Sequence, residues 1–174
     1  MVLQMRPATA EDAGAVAAMV RRRAAWMQER GLRTSSDIAE TLASQAGDPD
    51  WPVWVLHDED GALLGCTTVL EESPQWCFTE AERAEPALFL ASTWTLPSDG
   101  RRYGRLIARW ALDRAAHQEL RHVRRGCFHE RLAAYYTEVQ GWELLRTLQR
   151  RGRTAYILTR PAEPQPDLPV KTAA

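Results

Sequence analysis

The sequence predicts one α+β domain, built on a mostly antiparallel sheet of six to seven strands flanked by about four helices. Three observations carry that prediction. The chain has 174 residues, the size of a single domain. Its 45% apolar and 26% charged residues match a globular chain that needs no metal or disulfide to fold. And strand-type segments follow one another in the middle of the chain with no helix between the first two, which a doubly wound parallel sheet would not allow.

Taken in order, residues 2–6 alternate and read as a first strand. Thr9, with Asp12 three residues on, has the form of a capping box. The helix it opens carries Val16, Met19, Val20 and Met27 at helical spacing and stops at Gly31. A second helix spans about residues 36–46, with Ile38 and Leu42 on one face. From Val53 the period falls to two: residues 53–57, an acidic turn ending at Gly61, and residues 63–70 form a hairpin. Residues 71–86 hold five glutamates and read as a loop or short helix. Residues 87–96 are a strong strand. A basic turn at 98–104 feeds a helix over about 105–118, whose inner face is Leu106, Ile107, Trp110 and Ala111. A short strand at 122–128, a helix at 129–139 and a hairpin of 142–148 with 154–159 complete a domain of residues 1–160. The tail, 161–174, holds four prolines and reads as disordered.

Charge excludes some functions. The 22 basic and 23 acidic residues give a net charge of -1, which offers nothing for nucleic acid. Of the basic residues 21 are Arg; Lys171 alone is Lys. No run approaches the roughly 18 apolar residues of a membrane span. With no basic segment followed by an apolar stretch at the N-terminus, a cytoplasmic chain is expected. Cys66, Cys77 and Cys127 are odd in number and share no metal-type spacing with each other or with the four histidines, so free thiols and no metal are expected.

The chemistry concentrates in residues 88–118. A helix N-terminus presents free backbone N–H groups and partial positive charge, a natural seat for phosphate oxygens. Gly100 and Gly104 let the backbone approach a ligand, and Arg101, Arg102 and Arg105 add charge. Alone, such a turn also fits a solvated loop. The chain continues with His129-Glu130-Arg131-Leu132-Ala133-Ala134-Tyr135-Tyr136 and Gly141-Trp142. Together with the opening Met5-Arg6-Pro7-Ala8-Thr9-Ala10-Glu11-Asp12, this pattern resembles the GNAT family of acetyl-CoA-dependent N-acyltransferases, over about residues 3–160. Three departures are visible. Aligned on Gly104, Asp99 takes the first position of the family's pyrophosphate loop and Arg102 replaces its first Gly, with Gly100 as a flexible position one turn earlier. His129 stands where the family often has Asn. Four residues rather than three separate Tyr136 from Gly141.

The resemblance implies a GNAT-like mixed sheet and acetyl transfer from acetyl-CoA to a primary amine by direct attack in a ternary complex. It implies main-chain contacts to the pantetheine arm from Trp94, Thr95 and Leu96. The pyrophosphate would be held by Arg101, Arg102, Tyr103, Gly104, Arg105 and Leu106, with His129 also at the cofactor. Tyr136 would be the general acid, since a phenol of pKa about 10 can protonate a departing thiolate of pKa about 8.5; a buried packing role is the other reading. Glu71, Glu72 and Glu85 are candidate bases, each equally readable as a surface charge. Trp76, Phe78 and Trp94 are candidate walls of an acceptor pocket or plain packing residues. A non-catalytic acyl-CoA-binding module is the alternative function. A homodimer is a further expectation, with no nucleic-acid or membrane partner.

Overall fold

The computed structural model describes residues 1–97 and 100–173; Ser98 and Asp99 of the basic turn, and Ala174, lie outside the described residues. Among the described residues the chain runs β1 (Leu3–Pro7), α1 (Ala13–Gln28), α2 (Ile38–Gln45), β2 (Val53–His57), β3 (Leu63–Leu70), α3 (Glu80–Ala84) and β4 (Ala87–Thr95). It continues with α4 (Tyr103–His117), β5 (His122–Cys127), α5 (Glu130–Gln140), β6 (Glu143–Arg150), β7 (Arg153–Pro161) and β8 (Val170–Thr172). The strands form one sheet in the order β6-β7-β5-β4-β3-β2-β1-β8. Pairing is parallel at β4–β5 and β1–β8, and antiparallel at β1–β2, β2–β3, β5–β7 and β6–β7. The mixed, mostly antiparallel α+β class is as the sequence predicts. Among the described residues the count is eight strands and five α-helices, above the expected six to seven and four.

The extra helix is α3, where Thr79 and Glu82 cap one another: the Glu82 N–H donates to Thr79 Oγ1 at 3.2 Å and the Thr79 N–H to Glu82 Oε2 at 2.8 Å. The extra strand corrects the expectation of a disordered tail. Val170, Lys171 and Thr172 pair in parallel with Leu3, Gln4 and Met5. The Ala173 N–H donates to the Met5 carbonyl at 2.8 Å. Pro164, Pro166 and Pro169 fall in the connection, where their missing N–H groups cost nothing, and Val170 is buried. Composition marked the prolines; a partner more than 160 residues away in sequence decided the structure.

Two compact units divide the chain: Met1–Val69, Ser92–Ala108 and Asp167–Ala174 in the first, Leu70–Ala91 and Arg109–Pro166 in the second. β4 and α4 each pass from one to the other. In the first unit, Val16, Ala17, Met19 and Val20 of α1 and Ala39 and Leu42 of α2 close over Val53, Val55, Leu63 and Cys66, with Trp94 and Leu96 at the border. The entry to α1 is fixed by a forked pair: Arg6 Nη1 and Nη2 donate to Asp12 at 2.7 and 2.9 Å, while Asp12 Oδ2 also accepts from the Thr9 N–H at 2.8 Å. The Arg6 hydrogen bond holds the Asp12 carboxyl below its ordinary value.

The second unit has its own core of Cys77, Phe78, Phe89, Ala155 and Ile157. β5 carries two adjacent arginines, Arg124 and Arg125, both buried. Successive residues of a strand face opposite sides of the sheet, so the two enter different surroundings. Arg124 Nη1 donates to Ser73 Oγ at 2.9 Å and to the Glu82 carbonyl at 2.8 Å, and its guanidinium lies over Phe78. Arg146 grips the Glu82 carboxylate and the Cys77 carbonyl. That hydrogen-bonded pairing pulls the Glu82 carboxyl down to about 2.

Two outcomes are expected from this construction. Removal of residues 167–174 exposes Val170's site and the β1 edge; it should cost about 2–3 kcal/mol, read as a lower urea midpoint. Because the folded pKa of Glu82 is depressed, its contribution to stability is complete above the ordinary carboxyl value and fades as pH falls toward about 2. The stability gap between wild type and Glu82→Gln should therefore be constant at neutral pH and shrink between about pH 5 and about pH 2.

Candidate functional site

β4 changes character halfway along. Its first four residues, Ala87–Leu90, are buried and pair in parallel with His122–Arg125 of β5. The ladder stops there, and the strand continues for five more residues, all exposed or half-buried. Thr93 Oγ1 and Thr67 Oγ1 are 2.9 Å apart, and the Leu96 N–H donates to the Leu64 carbonyl at 2.9 Å, so the end of β4 is tied to β3. Gly65 permits that approach. A Cβ there would lie 2.9 Å from Ile107 Cδ1, 3.1 Å from Thr95 Cγ2 and 3.2 Å from the Trp94 carbonyl. Burial beside this strand pushes the Cys66 thiol up to about 12, leaving it inert.

The strand then enters the basic turn. Gly100 has φ +89° and Arg102 φ +38°. An arginine therefore holds the left-handed backbone that glycine adopts freely, a conformation that costs a non-glycine residue about 1–2 kcal/mol. The Arg102 carbonyl accepts from the Arg105 N–H at 2.9 Å and the Leu106 N–H at 3.4 Å, starting α4. Tyr103 is buried and anchors the first turn, while Leu106 is half-buried. A Cβ on Gly104 would meet nothing within 4 Å, so the helix's opening backbone is approachable at that point.

Arg101, Arg102 and Arg105 are exposed, and Arg101 Nη1 lies 3.3 Å from Met1 Sδ. Among the described residues the first turn of α4 contains no acid. Arg101, Arg102 and Arg105 thus lie at or near a helix N-terminus whose dipole is itself positive, a setting that favours an anion.

His129 and Tyr136 belong to the second unit. His129 occupies the N-cap of α5 in extended conformation, without a side-chain cap bond. Its burial and Arg153 push the imidazole below its ordinary pKa, favouring the neutral form. Tyr136 lies on the inner side of α5 and is 9% exposed. Its ring is 6.4 Å from that of Trp142 and 6.2 Å from that of Tyr135. The Arg125 guanidinium lies over the Tyr136 ring at 4.0 Å and over Trp142 at 5.3 Å. The additional residue between Tyr136 and Gly141 is absorbed in the last turn. The N–H groups of Gly141 (φ +71°) and Trp142 both reach back to the Tyr136 carbonyl, a wider closure than an α-turn.

The candidate bases separate. Glu85 accepts from His122 Nε2 at 3.0 Å and lies 4.0 Å from Arg124 Nη2, so it is an ion-pair partner. Glu71 and Glu72 are exposed, and the Glu71 charge acts on Arg114. Of the candidate acceptor walls, Phe78 is core, edge-on to Phe89 at 5.9 Å. Trp76 is surface, beneath Arg150 at 4.1 Å, and Trp94 borders the first core. Among the described residues no group of His, Cys, Asp or Glu is arranged to hold a metal, and no helix is long and apolar enough to cross a membrane. Sequence reasoning missed Gly65, Arg124 and Arg125; two adjacent arginines inside a strand were the available signal for the last two.

No protein-family model matches the sequence, and no curated protein matches it. Solved structures do. A GNAT-family acetyltransferase from Listeria monocytogenes 4b F2365 superposes with a TM-score of 0.70 at 18% identity, covering 91% of this chain and 94% of that one. The ribosomal-protein-S18-alanine N-acetyltransferase of Escherichia coli gives 0.62 at 13% identity, over 95% and 97%. The protein yncA of Salmonella typhimurium, solved with its cofactor acetyl-CoA, gives 0.60 at 14% identity, over 97% and 98%. Likeness over nine-tenths of the chain at such low identity is likeness of architecture, and this chain has the fold of the GNAT acetyltransferases.

Proposed function

We propose that this chain is an acetyl-CoA-dependent N-acetyltransferase acting on a primary amine of a small molecule, peptide or protein. The observation that carries the reading is the passage from β4 into α4: a strand outliving its parallel ladder, a turn at positive φ, and three exposed arginines at a helix N-terminus. The acetyl-CoA found with the Salmonella neighbour is the anion of matching chemistry. Acetyl-CoA supplies an activated acyl thioester.

The residues of this chain would divide the work as follows. Main-chain groups of Trp94, Thr95 and Leu96 hold the pantetheine arm, and one N–H faces the carbonyl oxygen as negative charge gathers on it, a role whose loss costs about 2.7–4 kcal/mol elsewhere. The N–H groups of Arg102 to Leu106 hold the pyrophosphate, with the Arg101 and Arg102 guanidinium groups beside it. His129, neutral at its helix cap, is proposed at the cofactor. Tyr136 donates the proton to the departing sulfur. With Glu85 occupied by His122 and Arg124, an exposed carboxylate such as Glu71, working through water, is the better base.

A non-catalytic acyl-CoA-binding module is favoured by one observation, the arginine side chain where the resembled loop has glycine, and the tests separate the two. Acetyl-CoA at 100 times Kd should raise Tm by about 5–10 °C, and ATP should not reproduce the shift. Gly104→Asp places a carboxylate in open space at the helix N-terminus. Its apo Tm should stay within about 2 °C of wild type, while acetyl-CoA affinity falls at least about tenfold through charge repulsion and steric block. Tyr136→Phe should lower kcat for CoA release about 100-fold and leave the acetyl-CoA melting shift intact. CoA release by no amine, with the melting shift present, would select the binding module.

A further inference from the structure

Arg125 is the charged group that the transfer scheme leaves unused. It is 4% exposed, and its Nε and Nη1 are buried with no hydrogen-bond partner among the described residues. A buried guanidinium ordinarily finds a carboxylate; this one has aromatic faces instead, Tyr136 at 4.0 Å and Trp142 at 5.3 Å. Retaining a cation in such a place opposes stability, since apolar side chains of similar volume commonly replace buried charges without loss. We infer that Arg125 is a positioning residue that sets the acidity of Tyr136 and fixes its ring against Trp142. The inference rests on the reading of Tyr136 as general acid.

The amine nitrogen bonds to the thioester's carbonyl carbon, the carbon–sulfur bond breaks with its electron pair on sulfur, and the Tyr136 Oη proton passes to that sulfur. Tyr136 is left as a phenolate and recovers a proton from solvent, to which the amine has released one. A phenol near pKa 10 is a weaker acid than the thiol it must create, near 8.5. A guanidinium against the ring stabilises the phenolate and brings the two values together, where proton transfer is most efficient. The contacts of the Tyr136 ring include Arg125 from β5, Tyr135 from its own helix and the uncharged Trp142. Cys127, two residues along β5, feels the same guanidinium, although burial dominates and raises its thiol.

The test uses the full chain with tyrosine labelled at the ring Cζ with carbon-13. The Tyr136 signal is identified as the one missing from Tyr136→Phe, and titrated in wild type, Arg125→Met and Arg125→Lys. In Arg125→Met the phenol should titrate about one pH unit higher than in wild type. The urea midpoint should be unchanged or raised, and kcat at saturating acetyl-CoA should fall at least about tenfold, with the KM for acetyl-CoA within about twofold. Arg125→Lys should return the titration toward wild type. An unmoved phenol titration in Arg125→Met overturns the inference, as does an unmoved kcat where Tyr136→Phe is itself slow. A moved phenol together with a fully active Tyr136→Phe upholds the coupling and overturns the general-acid reading instead. Should Arg125→Met fail to fold, Arg125→Gln, of shorter reach and neutral, gives the same titration readout.

Discussion

A strand bonded along both edges has no backbone groups left to offer a ligand. β4 has its parallel partner only over Ala87–Leu90, and from Ala91 onward that pairing is absent. The side on β3 stays tied through Thr67, Thr93, Leu64 and Leu96, so the strand keeps its direction after losing one neighbour. Everything proposed for the cofactor depends on this constraint. It keeps the strand straight to Thr95, delivers the chain into the turn at Gly100, and starts α4 at Tyr103. Gly65 suits the same arrangement, because a Cβ there would crowd the Trp94 carbonyl and the side chains of Thr95 and Ile107.

Buried charge organises the second unit differently on the two faces of one strand. Arg124 is a cross-brace, its Nη1 fixing the segment around Ser73 and α3 to the sheet through two hydrogen bonds while its Nε is left without one. Arg125, its neighbour in sequence, meets rings. One arginine is explained by structure alone, and the other has too little hydrogen bonding for that account. The two share a unit and a strand and differ in the face of the sheet they enter.

Much of this was legible in the sequence, and the reasons are local. The β2–β3 hairpin follows from two short apolar runs around an acidic turn closed by Gly61 at φ +82°, and β3 is buried on both faces along nearly its whole length. α5 ends where Gly141 supplies a left-handed residue, and the short 3-10 turn that leads into α1 opens where Asp12 accepts from the Thr9 N–H. What stayed hidden was decided at long range. β8 is three residues long and has meaning only beside β1. The open end of β4 is a matter of register, which residue types do not encode. Arg102 reads as a departure from the glycine pattern, yet its backbone has a positive φ, the region glycine adopts freely. Glu85 reads as a candidate base until the fold brings His122 against it.

The lone lysine gains significance from where it falls. Lys171 is exposed, lies on β8 and pairs in register with Gln4 at the margin of the sheet. Apart from the α-amine, amine-directed chemistry on this protein is thus confined to one side chain. A fluorophore attached there would sit on the strand that closes the sheet and report its docking residue by residue. In an assay for amine acylation, the protein would contribute a self-labelling background at one known lysine, separable by digestion from any mark left on an acceptor.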